Sequence, residues 1–566
     1  MEMNELYKIR HSAAHLLAHA VTELFPGTIL TIGPVTQEGF FYDFLPTRNF
    51  TEQDLAAIEQ KMREIVKKNL PIEQKEVSKA EARKLFKDNP FKLELINEIP
   101  DGKVGLSCQG DFVDLCKGNH VAKTGDIKVF KLLNISGSYW RADKTKQPLQ
   151  RISGTAFISQ EQMDQEEKQK EEALKYDHRK LGQELDLFSF QEEGPGFPFY
   201  HPKGQRIFNT CSNYIRGELD ADGYEEIQTP IVLLDQLWKQ SGHYTHYKPN
   251  MYFTQIDDRS FALKPMNCPG CILVYKNRPR SYRELPIKLA EFGKVHRHEL
   301  SGVLHGLFRV RAFTQDDGHV FCSPDQIEPE VISVLKFAQR IYKKFGFEDV
   351  KVVLATRPEN AMGSAILWEK ATNALKDALK VTNTPYEIHE GDGAFYGPKI
   401  ELHIKDSMGR SWQVGTIQVD FFMPENFELS FINTEGKKER PVMIHRAIYG
   451  SFERFLGVIL EHFKGNLPFW LAPVQIKVLP ITDAQLPYAK EVVQALKKEH
   501  FRVELDVSSD PLPGKIKTAQ LERIPWMLVI GNKEAEAHTV TLRYRDGKQE
   551  PALTLDALIK KAHENN

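Results

Sequence analysis

Two histidines four positions apart form the first pattern with chemical potential, in the segment HSAAHLLAHA at residues 11–20. On a helix, His11 and His15 share one face, so both imidazoles could reach one metal ion or one substrate atom. The helical zinc-protease pattern places Glu directly after the first His, whereas this chain has Ser12. A core helix is the alternative, because apolar residues recur at helical spacing between residues 13 and 24. The histidine pair alone does not decide between these interpretations.

A second pattern lies in FGKVHRHELSGVLHGLFRVRAFTQDDGHVF, which ends in a predicted strand. Successive strand residues face opposite sides, so alternate residues make a polar row on one face. The row consists of Arg309, Arg311, Phe313, Gln315, Asp317 and His319. A merely solvated sheet face would not need two arginines, an aspartate and a histidine around an aromatic ring.

Two further segments carry polar residues of the same kind. FALKPMNC is predicted to be a strand with Lys264, Met266 and Cys268 on one side. VMIHRAIYGSFERF places His445 and Arg454 around the start of a helix.

Cys268, His319 and His445 are residue types that bind zinc. One Cys and two His leave a coordination position open, which is typical of a site that also binds substrate. Their wide separation makes this a weak indication from spacing alone. Cys268-Pro-Gly-Cys271 suggests a zinc ribbon or a redox motif, but no second CxxC completes a ribbon.

The chain contains no G-x-x-x-x-G-K-[ST] segment, which excludes a P-loop nucleotide site. ATP could still be held by arginines, because guanidinium groups bind phosphate oxygens through paired hydrogen bonds. Arg297 in VHRHE and Arg454 in SFERF are the candidates.

The composition predicts a multidomain globular protein, since 566 residues exceed one hydrophobic core and 41% are hydrophobic and 27% charged. With a net charge of −2, any polyanion site must be a local patch. Neither a signal peptide nor an apolar run of membrane-spanning length is visible. The six cysteines are scattered, which argues against a disulfide framework. We therefore expect a cytoplasmic protein without a membrane partner.

Patterning divides the chain into residues 1–158, 159–176, 177–468 and 469–566. The first segment is predicted to be an α+β unit, with capping-box helix starts at Thr51–Asp54 and Ser78–Glu81. The second is predicted to be a solvated linker helix, since it is dense in charge. The third alternates helices with strands of unlike faces, which indicates an antiparallel sheet with one working face. The fourth predicts a small α/β domain whose sheet is covered on both sides.

Together these motifs resemble the threonyl-tRNA synthetases, a family of class II aminoacyl-tRNA synthetases. Thr229-Pro230 resembles the first class II motif, FGKVHRHE and FRVRAFTQDDGH the second, and IHRAIYGSFERF the third. LKPMNCPG and GAFYGPKIEL match segments typical of the threonyl enzymes. The resemblance covers essentially the whole chain. It implies an editing domain at 1–158, a class II catalytic domain at 177–468 and an anticodon-binding domain at 469–566.

The resemblance also implies roles for single residues. Cys268, His319 and His445 would hold one Zn²⁺ per subunit. The residues implied to bind ATP, which enters with Mg²⁺, are Arg297 at the α-phosphate, Glu299 at the adenine edge, Arg309 and Arg454 at the outer phosphates, and Gln418. The residues implied for threonine and its adenylate are Met266, Gln315, Asp317, Tyr396 and Gln413. Lys399 joins Arg297 and Arg454 as a catalytic residue.

In the first domain, VDLCKGNH provides Cys116 and His120, again four apart. With the opening histidines they look like a complete zinc set, and related alanine-type editing domains use them so. In the threonyl family the pocket is implied to work without metal, so the opening pair would be catalytic or would orient RNA. The editing residues implied are His11, His15, Lys92, Asp114, Cys116 and His120.

The implied function is ATP-dependent ligation of L-threonine to tRNA(Thr) through threonyl-adenylate, by a homodimer. Valine lacks the hydroxyl that an open zinc position can bind, so it is rejected strongly. Serine lacks only a methyl group, worth about 1–3 kcal/mol. A second site that hydrolyses seryl-tRNA(Thr) is therefore expected.

Some positions depart from the family pattern. Ten residues precede His11, where most members have a ubiquitin-like domain, so we expect that this domain is either naturally absent or trimmed. Cys271 stands where the family usually has His. In the last domain, Ser508, Ser509 and Lys517 leave some anticodon contacts open, whereas Glu534 and Arg543 match base-reading positions.

Two other functions are possible from the sequence. A tRNA-binding or regulatory paralogue that lost ligation should have lost an ATP arginine or a zinc ligand, and the implied residues are all present. A metallohydrolase centred on the N-terminal histidines would leave everything after residue 177 unexplained.

Overall fold

The computed structural model describes residues 2–36, 38–100, 102–143, 145–359, 361–406 and 409–566. The chain forms two compact units, residues 1–171 and 172–566. None of the described helices is both long enough and apolar enough to cross a membrane.

The helices of the first unit are α1 (Glu2–Leu24), α2 (Glu52–Lys68), α3 (Lys79–Leu85), α4 (Pro90–Glu98) and α5 (Gln160–Lys175), and its strands are β1 (Ile29–Leu30), β2 (Phe40–Leu45), β3 (Ile72–Ser78), β4 (Lys103–Gln109), β5 (Phe112–Leu115), β6 (Val129–Tyr139) and β7 (Pro148–Phe157). The strands make one sheet in the order β1-β2-β7-β6 and another in the order β3-β4-β5. The predicted α+β character of this unit is confirmed.

Helix α1 packs against α2 and the first sheet. The predicted apolar stripe is its buried face, on which Ala13, Leu17, Ala20 and Val21 have no exposed surface. Each fully buried Leu or Val side chain stabilises the fold by about 1.5–3 kcal/mol. The core-helix interpretation is therefore right, and it does not exclude chemistry, because the histidines lie on the same helix.

The two predicted helix starts in this unit are confirmed. Helix α2 follows Thr51, which forms a capping box with Asp54. Helix α3 follows Ser78, whose hydroxyl accepts a hydrogen bond from the backbone N–H of Glu81. The charged segment forms α5, most of which is exposed, and the boundary between the two units falls inside this helix.

From residue 172 to 468 the helices are α6 (His178–Glu184), α7 (Pro202–Ala221), α8 (Asp235–Gln240), α9 (His243–Tyr247), α10 (Cys268–Tyr275), α11 (Ile327–Lys344), α12 (Ala365–Val381), α13 (Phe422–Asn426) and α14 (Phe452–His462). The strands there are β8 (Phe188–Phe190), β9 (Pro198–Tyr200), β10 (Glu225–Glu226), β11 (Val232–Leu234), β12 (Phe253–Ile256), β13 (Arg259–Leu263), β14 (Ile287–His296), β15 (Ala312–Cys322), β16 (Lys351–Ala355), β17 (Glu387–His389), β18 (Lys399–Lys405), β19 (Ser411–Asp420), β20 (Phe431–Ile432), β21 (Lys438–Glu439) and β22 (Val442–Ala447).

Eight of these strands form one sheet in the order β10-β14-β15-β22-β19-β18-β16-β17. The six central strands are antiparallel, and the short edge strands β10 and β17 pair in parallel. Apolar residues of one sheet face join α11, α12 and α14 in a core, for example Val320, Ile417 and Ile444. Because strand residues alternate in direction, their neighbours in sequence face the other way. The predicted antiparallel sheet with one working face is confirmed for the central strands.

The C-terminal part contains α15 (Leu486–Lys498), α16 (Leu512–Leu521), α17 (Asn532–Ala537) and α18 (Leu555–Glu564), with strands β23 (Ile476–Pro480), β24 (Val503–Leu505), β25 (Trp526–Ile530), β26 (Thr539–Tyr544) and β27 (Gln549–Thr554). Its sheet has the order β24-β23-β25-β26-β27, parallel from β24 to β25 and antiparallel beyond. Two apolar clusters, around Val478 and around Met527, contain sheet residues together with helix residues. The predicted α/β domain is confirmed.

Candidate functional site

A cavity of about 450 Å³ lies on the polar face of the eight-stranded sheet. Every residue predicted for the ATP and threonine sites lines it, as do Cys268 and His445. These residues come from β15, β18, β19, β22, α14, the start of α10 and the irregular segments between elements. The fold thus brings one set of side chains together from distant parts of the sequence.

Strand register places four of the predicted residues in one row. His319 on β15 is paired with His445 on β22, His445 with Gln418 on β19, and Gln418 with Lys399 on β18. Directly opposed residues of antiparallel strands point to the same face. The alternation read from the sequence of β15 therefore agrees with the structure for Gln315, Asp317 and His319.

Three side chains could hold a metal ion at one end of this row. Potential ligand atoms of Cys268, His319 and His445 all lie within 4.8 Å of one another, and all three residues are buried. His445 Nε2 lies 2.9 Å from a carboxylate oxygen of Asp420, the usual second partner of a metal-binding imidazole.

The remaining ring nitrogens fit a metal well. His445 Nδ1 and His319 Nε2 are buried and have no hydrogen-bond partner among the described residues. A buried nitrogen without a partner is costly, and coordination would satisfy both at once. The donor set of one thiolate and two imidazoles suits zinc with a position left for substrate.

Arginines gather at another part of the cavity. Arg454, in the first turn of α14, donates through Nε to the carbonyl of Phe308 at 3.1 Å and through a terminal nitrogen to the carbonyl of Gln413 at 2.8 Å. Burial, together with the neighbouring charges of Arg309 and Arg297, lowers the pKa of Arg454 to about 10. It stays protonated at neutral pH, and three nearby guanidinium groups favour a polyanionic ligand.

Hydrogen bonds fix several cavity side chains. Tyr396 donates to Gln418 Oε1 at 2.8 Å, and Asn267 donates to Asp317 Oδ2 at 3.1 Å. Lys399 pairs with Glu401 at 2.6 Å. Such anchored polar groups give a ligand few alternative orientations.

Two details of the predicted polar rows were wrong. Strand β15 begins only at Ala312, and Arg311 lies outside the row because it donates to the carbonyls of Glu299 and Pro195, each at 2.9 Å. FALKPMNC is not one strand, since β13 ends at Leu263, just before the sequence that contains Pro265. Proline cannot donate to a strand ladder.

Lys264 does not line the cavity, unlike Met266 and Cys268. Its ammonium is buried and lies 2.7 Å from Glu291 and 2.9 Å from the hydroxyl of Thr229. It is thus part of an internal ion pair. Asn267 and Asp420 were not predicted. The alternation of β19 carries a signal for Asp420, which lies two residues after Gln418.

The six residues predicted for the N-terminal site also come together. In one cluster Cys116 Sγ lies 2.8 Å from His120 Nε2 and 3.5 Å from His11 Nε2. Ser12 holds the second nitrogen of His120 at 3.1 Å and accepts from the backbone N–H of Val121. The serine that excludes the zinc-protease pattern therefore orients one of the histidines.

Asp114 is the buried centre of the same site. One oxygen lies 2.5 Å from Lys92 Nζ, and the other accepts from Tyr42 at 2.6 Å and lies 3.1 Å from His15 Nδ1. Tyr42 was not predicted. The alternation FFYDF, with Phe40 and Phe44 buried on the same side, carries a signal for its inward direction.

The half-buried Cys116 favours the thiolate form. Burial alone would raise the pKa of Cys116, but hydrogen bonds with His11, His120 and His15 outweigh it and lower the pKa to about 3. Burial would lower the pKa of His15, yet its bonds to Asp114 and Cys116 raise it to about 9. A thiolate beside an imidazolium is an arrangement that can both bind a polar substrate and transfer a proton.

We expect iodoacetamide to alkylate Cys116 at a nearly constant rate between about pH 5 and pH 8, because only the thiolate reacts and its pKa lies far below this range. An ordinary thiol, with a pKa of about 8.5, would slow about tenfold for each pH unit below neutrality. Peptide mapping by mass spectrometry measures the rate at this residue, and Cys116→Ser is the control. A rate that falls tenfold per unit would contradict the lowered pKa.

Similarity to known proteins decides the family. A protein of Carboxydothermus hydrogenoformans named threonine–tRNA ligase is 54% identical over 539 residues, covering 95% of this chain and 85% of that protein. A protein of the same name from Caldanaerobacter subterraneus subsp. tengcongensis is 53% identical over 555 residues, covering 97% and 86%. The chain belongs to the threonine–tRNA ligase family.

Family profiles match three regions of the chain. The tRNA synthetase class II core domain (G, H, P, S and T) matches residues 252–463, and the anticodon binding domain matches 475–565. The threonyl and alanyl tRNA synthetase second additional domain matches 106–153, which includes Asp114, Cys116 and His120. The predicted combination of a class II core with two accessory domains is confirmed.

A solved structure agrees with this membership of the threonine–tRNA ligase family. It is described as the RNA binding domain of threonyl-tRNA synthetase from Cryptosporidium parvum Iowa II. The TM-score is 0.68 at 46% sequence identity, and the match covers 69% of this chain and 98% of that one.

The C-terminal domain of this family member places Glu534 and Arg543 on neighbouring elements. Glu534, on α17, accepts from the backbone N–H of Gly531 and from the hydroxyl of Thr541, each at 2.9 Å. Arg543 follows Thr541 by two positions on β26 and so faces the same side. Ser508, Ser509 and Lys517, which depart from the family pattern, are exposed.

Proposed function

We propose that this chain ligates L-threonine to tRNA(Thr) through threonyl-adenylate and removes serine from seryl-tRNA(Thr) in its N-terminal unit. The observation that supports ligation best is one cavity that is lined both by three arginines and by Cys268 and His445, two members of the potential metal group. Residues 1–158 would be the editing domain, 177–468 the catalytic domain and 469–566 the anticodon-binding domain, with 159–176 as a linker helix.

ATP would lie along the arginines of the cavity, with Mg²⁺ bound to its phosphates. Arg297 would contact the α-phosphate, Arg309 and Arg454 the outer phosphates, and Glu299 and Gln418 the nucleoside. Attack of the threonine carboxylate on the α-phosphate needs no covalent enzyme intermediate. The chain's residues would act by orienting both substrates and stabilising the developing negative charge.

Threonine would lie against the zinc group, with Met266, Gln315, Asp317, Tyr396 and Gln413 around it. Bound by Cys268, His319 and His445, one Zn²⁺ per subunit would supply open positions for the amino and hydroxyl groups of threonine. Asp317, buried and held by Asn267, would accept a hydrogen bond from the substrate. Valine carries a methyl group in place of the hydroxyl of threonine, so it would leave the polar groups that face this hydroxyl without a partner and would bind poorly.

Editing would use the N-terminal cluster without a metal ion. The four potential ligands His11, His15, Cys116 and His120 lie within 4.8 Å of one another. Cys116 bonds to His11 Nε2 and His120 Nε2, Ser12 bonds to His120 Nδ1, and His15 Nδ1 forms an ion pair with Asp114, whereas His11 Nδ1 has no hydrogen-bond partner among the described residues. These contacts favour a proton-transfer or RNA-orienting role for the histidines, with Lys92 and Asp114 fixing their charge.

We also propose a homodimer in the cytoplasm. The segment around Pro230 resembles a class II motif that lies at a dimer interface in that class, and two-fold pairing is the commonest oligomer. Sedimentation at micromolar concentration tests this, since an active monomer would contradict it.

ATP–pyrophosphate exchange with each amino acid tests the ligase function. We expect threonine to support the fastest exchange, serine to support measurable exchange and valine to be about a hundredfold or more slower than threonine, because it lacks the hydroxyl. Exchange with another amino acid, or with none, would contradict the proposal.

A further inference from the structure

His178, the first residue of α6, packs against Phe308, which lines the cavity, but His178 itself does not line the cavity. Its side chain is fully buried. Nε2 accepts a hydrogen bond from the backbone N–H of Leu307 at 3.0 Å, so this nitrogen carries no proton. The proton is therefore on Nδ1, which donates to Glu461 on α14 at 2.8 Å. The two bonds fix both the tautomer and the ring orientation.

The segment that His178 holds is the connection between β14 and β15, residues 297–311. A single turn of 3-10 helix, Ser301–Val303, is the only helix or strand assigned within this fully described connection. It carries three of the residues proposed to bind ATP, Arg297, Glu299 and Arg309. Backbone bonds from Arg297 to the carbonyl of Arg311 and between His305 and Arg309 hold parts of the connection. Its placement against the rest of the fold also depends on side chains that pack against it from elsewhere.

Phe308 connects His178 with the cavity. Its ring centroid is 4.2 Å from that of His178 and 4.4 Å from that of Trp412. Its carbonyl accepts the bond from Arg454 Nε. His178 thus fixes one side of the residue whose backbone holds a proposed phosphate-binding arginine.

Gly306 shows how closely the two segments approach. Its φ is +46°, and a Cβ there would stand 2.2 Å from His178 Nε2. Any larger residue would push the connection away from the histidine, in addition to the backbone strain of a positive φ.

We propose that His178 is a positioning residue for ATP. Through Leu307 and Phe308 it holds residues 297–311 and Arg454 in the arrangement that binds the triphosphate. This rests on the proposed ligase function. Glu461 in turn holds His178 and accepts its backbone N–H at 3.1 Å as well.

Two substitutions distinguish the two hydrogen bonds of the imidazole, because each keeps only one of them. In His178→Gln the side-chain amide reaches the position of Nε2 and can still accept from Leu307. In His178→Asn it reaches only the position of Nδ1, so it can bond to Glu461 but leaves the Leu307 N–H without a partner. We expect the Asn variant to raise the KM for ATP about tenfold in threonine-dependent exchange, and the Gln variant to stay within about threefold of the unaltered chain. The KM for threonine should change little in either.

Gly306→Ala provides a second variant, because its Cβ would push the connection away from an unaltered His178. We expect a similar rise in the KM for ATP. The matched control is His201→Asn, since His201 also bridges a carboxylate and a second partner, Asp186 and Ser189, but bonds to nothing in residues 297–311. It should leave both KM values unchanged.

Equal KM values for ATP in the Asn variant and the unaltered chain, at equal zinc content and unfolding temperature, would overturn the role of His178 alone. A parallel rise in both KM values in the Asn and Gln variants would show a general structural role and overturn it too. If the unaltered chain shows no threonine-dependent exchange, the proposed function itself fails.

Discussion

Replacement of Cys268 by alanine is expected to remove one zinc ion per chain and to lower threonine activation by about a thousandfold or more. Two imidazoles alone hold zinc poorly, because the buried thiolate supplies one of three ligands and much of the compensating charge. The affinity for ATP should stay within about threefold of the unaltered chain, because the arginines that bind it are a separate group of residues.

Metal analysis, ATP binding by equilibrium dialysis and ATP–pyrophosphate exchange measure these effects. Cys271→Ala is the matched control, since Cys271 is also buried and lies three residues further in the same motif, but it is not one of the three grouped ligands. It should keep its zinc. A Cys268→Ala chain that retains one zinc and activates threonine would refute the ligand assignment.

Replacement of His11 by alanine is expected to slow the hydrolysis of seryl-tRNA(Thr) by about 10²–10⁴-fold, the usual contribution of a residue that transfers a proton. Threonylation should be unchanged within about twofold, because the ligase residues belong to the other compact unit. The physical reason for the loss is the contact between His11 Nε2 and Cys116 Sγ, which stabilises the thiolate.

The loss of editing is measured by the deacylation of preformed seryl-tRNA and by the accumulation of seryl-tRNA during charging. His19→Ala is the control on the same helix, since His19 lies two turns beyond His11, stacks on Phe112 and is outside the four-residue cluster. The double variant with Cys116→Ala should lose little beyond either single change, because the two residues act on one group. Equal loss of charging and hydrolysis would argue against an editing role.

The same variants also test the metal question. The proposed site in the second unit would hold the single zinc of each chain, so Cys116→Ala should leave the zinc content unchanged. A second zinc that is lost in this variant would make the N-terminal cluster a metal site.

Local features of the fold could be predicted from sequence because their causes are local. The capping box at Thr51 and the side-chain cap at Ser78 depend on residues three positions apart. The direction of Gln315, Asp317 and His319 follows from alternation within a single strand. The apolar stripe of α1 is a property of one helix.

The errors and omissions arise where contacts with a distant segment determine the direction of a side chain. Arg311 does not belong to the predicted polar row, because its guanidinium donates to the carbonyl oxygens of residues 195 and 299. Lys264 turned inward because Glu291 and Thr229 provide buried partners. Tyr42 joins the N-terminal site through Asp114, 72 residues away. Spacing within one segment carries no information about such pairs. The residue types of Cys268, His319 and His445 indicated a zinc site only weakly until the family resemblance linked them.

The row of His319, His445, Gln418 and Lys399 across four paired strands has an evolutionary consequence. A substitution within β15, β18, β19 or β22 changes one side chain, but the gain or loss of one codon there reverses the direction of every residue beyond it. Such a frame-preserving change would send a ligand into the apolar core and an apolar residue into the cavity. We therefore expect insertions and deletions to be tolerated mainly in the connections between these strands, and within a strand only where a bulge absorbs the extra residue, as between β18 and β19 at Leu402 and His403.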